Sequence, residues 1–203
     1  MLTFRSIARA GLYRAALAIC LVLVAIFTWS CIPFRPESYS ALPITGKIGE
    51  DIIGRNIVAT VHGVYAAHVI SAAEGTLGVL NRRYHSKGYW LVVDATYGTL
   101  VDSSRLSAYL QSGSTRTGLR KNIEDSSTRP VILQPGLKYR SVLVFEVPVV
   151  GSVMRLDMLN SFQDERTGGV MDPPLDSQIT VTIPSQSVEI RPEINLANSR
   201  VQP

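Results

Sequence analysis

The chain has 203 residues, 46% of them apolar and 18% charged, with a formal net charge of +4. That length supports one good core beside a short accessory segment and leaves two full domains cramped. The charge does not mark a nucleic-acid partner: Arg5, Arg9 and Arg14 stand near the N-terminus, and subtracting them leaves +1 for the remainder.

Residues 15–32 carry no charge and include Leu17, Ile19, Leu21, Val22, Leu23, Val24, Ile26 and Phe27. A run of about 18 such residues is at the short end of what spans a bilayer as a helix and exceeds the usual core of a signal peptide. Trp29 suits a headgroup interface, and Pro33 and Pro36 stop the helix. The arginines in front keep residues 1–14 in the cytoplasm, so a transmembrane helix over residues 15–34 sends everything after it outside. An uncleaved anchor is the preferred reading. Thr28-Trp29-Ser30-Cys31 leaves open lipidation at Cys31 or ordinary signal cleavage. Both cysteines, Cys20 and Cys31, belong to this segment, so the following domain has no internal disulfide and relies on packing.

Residues 35–48, with Pro36, Pro43 and Gly46, read as a stalk. Residues 49–192 then form the folded domain. Residues 57–70 are rich in β-branched side chains and predict one long bent strand or two short ones, with Gly63 a candidate bulge between His62 and His68. Residues 71–87 read as a loop ending in a basic run, Asn81-Arg82-Arg83-Tyr84-His85-Ser86-Lys87. Solvated loop is the preferred reading of that run, ahead of a phosphate or anionic-lipid contact. From Tyr89 the pattern alternates: Leu91, Val93, Ala95 and Tyr97 on one face, Trp90, Val92, Asp94 and Thr96 on the other.

Shorter strands are expected around residues 106–110 and 117–123. Residues 133–148 follow, where Pro135-Gly136 predicts a tight turn and Pro148 closes a strand that places Tyr139, Leu143, Phe145 and Val147 on one face and Arg140 and Glu146 on the other. Strands over residues 153–159, 178–183 and 186–191 complete the pattern, with a polar loop over residues 160–177. Residues 193–203 read as a frayed tail. Seven or eight short strands with turn signals between them, and no amphipathic helix, predict an all-β sandwich.

Three stretches together, Tyr89-Trp90-Leu91-Val92-Val93-Asp94-Ala95-Thr96, Tyr109-Leu110-Gln111-Ser112-Gly113, and Leu133-Gln134-Pro135-Gly136 before Leu143-Val144-Phe145-Glu146-Val147-Pro148, resemble a family of bacterial extracytoplasmic domains. Its members have a telokin-like, immunoglobulin-type sandwich, and many are lipoproteins or carry one N-terminal membrane segment. The likeness covers roughly residues 49–159. Gly98-Thr99 and Gln111-Ser112 stand where the family often has an asparagine and an acidic residue, so no shared binding site carries over. The resemblance implies an immunoglobulin-like β-sandwich outside the bacterial cytoplasmic membrane with a binding or assembly role, and offers no catalytic motif.

The residues themselves point the same way. His62, His68 and His85 have no cysteine partner outside the anchor, and no zinc, nucleophile-elbow or phosphate-loop spacing occurs. Asp164, Glu165, Asp172 and Asp176 lack the spacing of a calcium loop. Asp94 reads as a hydrogen-bonded strand residue, and Trp90 as core or partner-binding aromatic. No cofactor or metal is expected. The expected function is non-enzymatic: a single-pass membrane protein whose outer domain binds another envelope protein as an accessory or scaffold subunit. The alternative is a module for cell-wall glycan, lipid headgroup or metal ion. Arg82, Arg83, Tyr84, Lys87 and Trp90 are the candidate contact residues.

Overall fold

The computed structural model describes residues 4–31, 41–74, 80–120, 132–163, 170–171 and 176–196. They fall into two compact units, one up to Ser40 and one from Ala41. The first unit holds helix α1 (Phe4–Cys31). The apolar side chains described on it, among them Leu17, Val22, Ile26 and Phe27, are all more than half exposed. Among the described residues no helix is long and apolar enough to cross a membrane.

The second unit is a β-sandwich. One sheet runs β1 (Leu42–Gly46), β10 (Ser177–Ile183), β8 (Met154–Gln163), β5 (Arg105–Ser112), β6 (Thr115–Gly118), with β9 (Val170–Met171) against β8. The other runs β11 (Val188–Ile190), β3 (Ile57–Glu74), β4 (Leu80–Thr99), β7 (Lys138–Val147), with β2 (Asp51–Ile53) and β12 (Glu193–Asn195) also on β3. Period-two alternation decides which side chains meet between the sheets. Leu91, Val93 and Ala95 of β4 and Leu143, Phe145 and Val147 of β7 face Ala108 and Leu110 of β5, Leu156 and Met158 of β8, and Ile179 and Val181 of β10 in one core. The two faces read from the sequence for residues 89–97 and 139–147 are the faces observed. The second face of β4 is less open than its polar residues suggest. Trp90 and Val92 join Ala67, Ile70, Val144, Ile194 and Leu196 in a smaller core on the outside of the sheet.

Several segments depart from the expectation, among them the strand expected over residues 117–123, which is β6 at Thr115–Gly118, and the one expected over 186–191, which opens with a 3-10 turn at Ser185–Ser187. The stalk contributes a strand: Leu42–Gly46 pairs in parallel with β10, and Pro43 is accommodated because β1 is an edge. The loop expected over residues 71–87 is mostly strand, with Ser71 to Glu74 of β3 paired to Leu80 to Arg83 of β4. The tail forms β12, whose Ile194 and neighbouring Leu196 are buried. Within the expected polar loop, β8 continues to Gln163 and Asp176 is buried. Asp164, Glu165, Asp172 and residues 121–131 and 197–203 lie outside the described residues.

Candidate interaction surface

β3 and β4 are much longer than their neighbours. β7 pairs with β4 only from Tyr89 to Gly98, while β3 and β4 stay paired out to Glu74 and Leu80. Beyond the last pairing with β7, the two strands and β12 therefore form an arm. At about 3.3 Å per residue, the segment of β4 ahead of Tyr89 extends on the order of 30 Å. Among the described residues no strand pairs with the other edge of this part of β4.

The root of the arm is an irregular bulge. Ala67 pairs with Trp90 and Val69 with His85, so His68 alone on β3 faces Ser86, Lys87, Gly88 and Tyr89 on β4. Backbone groups freed by such a bulge need other partners. The Gly88 N–H donates to Ser86 Oγ at 3.0 Å, and His68 Nδ1 donates to the Gly88 carbonyl at 2.7 Å. Ser86 Oγ donates to Glu146 Oε1 at 2.9 Å, and the other oxygen of Glu146 is paired with Arg120. The His68 ring lies on Tyr89 with centroids 4.1 Å apart. Glycine is required at 88, because a Cβ there would overlap the Val147 carbonyl oxygen and approach Pro148 Cα to 2.9 Å.

Strand alternation divides the candidate contact residues between two faces. Tyr84 pairs with Ile70 and Arg82 with Ala72 on the face of the outer core, and the Arg82 guanidinium stands 5.3 Å from the Tyr84 ring centroid. Arg83 pairs with Ser71 on the opposite face, where its Nε lies 3.1 Å from Glu193 Oε1. Lys87 is exposed within the bulge. Trp90 is only 5% exposed and donates from Nε1 to the Tyr84 carbonyl at 3.1 Å, so it supports the arm from beneath. Exposed along this stretch are Arg82, Arg83, His85 and Lys87, beside an edge of β4 that no described strand pairs. His68, Ser86, Glu146 and Arg120 were not legible as a group, since 26 to 60 residues separate the polar partners of Glu146 along the chain.

Other polar groups have structural partners. His62 is the extra residue between the Val61–Ala95 and Gly63–Asp94 pairs, and its Nε2 bonds Thr96 Oγ1 at 2.7 Å. Arg140 holds Asp94 with two bonds of 3.1 and 2.7 Å, an arrangement that raises the guanidinium pKa. The buried Asp176 accepts from Ser177 N at 2.7 Å and from Asn160 Nδ2 at 3.3 Å. Among the described residues no three His, Cys, Asp or Glu side chains converge on a common point.

No family model matches the chain, and no curated protein matches it. Among solved structures it is similar to an uncharacterized β-sandwich protein from Clostridium difficile 630, at 11% identity and a TM-score of 0.34, over 71% of this chain and 95% of that one.

Proposed function

We propose that this is a non-enzymatic, single-pass protein of the bacterial cytoplasmic membrane. Its outer domain, an immunoglobulin-like sandwich of the telokin-like kind, docks another envelope protein as an accessory or scaffold subunit. The observation that carries the reading is the arm: a basic strand edge, held by a hydrogen-bonded bulge at its root and backed by its own small core. A strand edge that no described strand pairs is a template for an added strand, and basic side chains along it favour an acidic extended segment while resisting indiscriminate pairing.

Support for the anchor comes from α1. Its described apolar side chains surround the helix, the pattern of a helix meant for an apolar medium. Thr28 Oγ1 donates to the Val24 carbonyl at 3.0 Å and Ser30 Oγ to the Phe27 carbonyl at 2.8 Å, which satisfies both hydroxyls without water. In the sequence, residues 15–32 carry no charge, a run of about 18 residues at the short end of the range for a spanning helix.

The test is recovery of the tagged full-length chain from detergent-solubilised membranes, beside a double variant Arg82→Glu/Arg83→Glu. The reading expects a co-purifying envelope polypeptide that the variant loses while remaining folded. Recovery of the chain alone in both, or the same partner in both, would sink it.

A further inference from the structure

We propose that the outer face of the sheet that runs β1, β10, β8, β5, β6 binds a glycan carrying carboxylates, through two arginines, Arg116 and Arg155, that the sheet itself fixes in place.

Alternation decides which side chains stand on that face. Met154, Leu156, Leu110 and Val181 point into the core, so Arg155, Asp157, Tyr109, Gln111, Thr180 and Thr182 point outward. Register then sorts them into rows. Thr182, Arg155, Gln111 and Arg116 lie side by side across β10, β8, β5 and β6, and Thr180, Asp157 and Tyr109 form the row beside them. Two interstrand spacings put the Cα atoms of Arg155 and Arg116 on the order of 10 Å apart.

Both guanidiniums are positioned by the second row. Asp157 is only 2% exposed; it pairs with Arg155 Nε and accepts from Arg155 Nη2, each at 3.2 Å, while Thr180 Oγ1 donates to it at 2.9 Å. A carboxylate fixed in the strand and gripped by two parallel bonds holds the arginine over the sheet. The Arg116 guanidinium stands 4.0 Å from the Tyr109 ring centroid and has no acidic partner among the described residues. Stacking leaves the in-plane N–H groups of Arg116 to an incoming anion. Across the described outward face, Arg105, Arg116 and Arg155 stand against Asp157, a balance of 3 − 1 = +2.

Arg116, Arg155 and Thr182 are exposed, and the residues bordering them, 112–115, 151–153 and 184–187, are all described. After β6 the chain leaves for the other sheet, where Arg120 N donates to the Val144 carbonyl at 3.0 Å. Charge and surface chemistry name the occupant. Guanidinium forks match planar carboxylates, and donors held in advance lose little freedom on binding. Gln111 between the arginines and Thr182 beside them offer amide and hydroxyl groups to sugar hydroxyls. A peptide finds less here. Neither row holds an exposed large apolar side chain to anchor one, and β8 and β5 are paired on both sides, so they offer no backbone edge.

The experiment titrates oligogalacturonate into the full-length chain in detergent by calorimetry, beside its neutral methyl ester and oligoglutamate. The proposal expects oligogalacturonate to bind at least about tenfold more tightly than either, and Arg155→Gln or Arg116→Gln to weaken it by about tenfold, the loss of one charge-assisted contact. Arg55→Gln removes an exposed arginine beside the other end of β10 and is expected to leave binding unchanged. In the unsubstituted chain the oligomer should protect Arg116 and Arg155 from phenylglyoxal, a readout by mass spectrometry that does not depend on how the variants fold. No binding, equal binding of the methyl ester, an equal loss in Arg55→Gln, or protection of other arginines instead would overturn the site. Binding of oligoglutamate as tight as that of oligogalacturonate would make the face a surface for acidic peptides and overturn the glycan.

Discussion

Phe145 shows how much of the stability rests on single side chains. Its ring is fully buried between the sheets, so Phe145→Ala removes a large apolar surface and leaves a cavity; a loss of about 3–5 kcal/mol in urea-induced unfolding is expected. Gly88 tests the bulge. Gly88→Ala drives a methyl into the Val147 carbonyl and is expected to cost about 1–3 kcal/mol, whereas Gly113→Ala, at a turn with φ +59° and open space around it, costs only the backbone strain of about 1 kcal/mol. Tyr97 tests the packing through pH. Burial raises its pKa above the ordinary 10.0, against a smaller lowering by its hydrogen bond with Ser141. The unfolded chain therefore ionises this phenol first, and the stability it contributes is intact below pH 10 and lost as pH rises from there through the folded-state value. An alkaline unfolding profile of Tyr97→Phe should fall less steeply than that of the parent.

At the scale of elements, β12 matters most for the arm. Ile194 and Leu196 are buried against Ile70 and Trp90, so truncating the chain after Pro192 uncovers the outer core. A loss of about 3–5 kcal/mol follows from two buried aliphatic side chains, with Trp90 fluorescence shifting to the red as water reaches the indole. These elements also explain what the sequence hides. β4 and β7 are legible because their residues alternate strictly, and β10 because β-branched residues fill it. β12 is three residues long after a proline, too short for any period to appear. Residues 80–87 look like a solvated loop because Arg82, Arg83 and Lys87 mask the alternation. Only their pairing with β3, which no local pattern encodes, makes them a strand. The bulge is hidden for the same reason. Gly88 signals an interruption but not that His68, Ser86 and Glu146 will converge on it.

For the whole molecule, the sandwich has two different ends. One carries exposed aliphatic side chains, Leu100 and Val101 among them, beside the entry of the chain at Leu42, and the other carries the arm with its basic edge. Docking is the claim on which the rest depends. It is tested most directly by placing a photo-crosslinking residue at Arg82, at His85 or, as a control on the β5–β6 turn, at Ser114 of the full-length chain in its own membranes. The account predicts that Arg82 and His85 give one shared adduct with another envelope polypeptide while Ser114 gives none. Absence of any adduct on the arm, or the same adduct from Ser114, would contradict it.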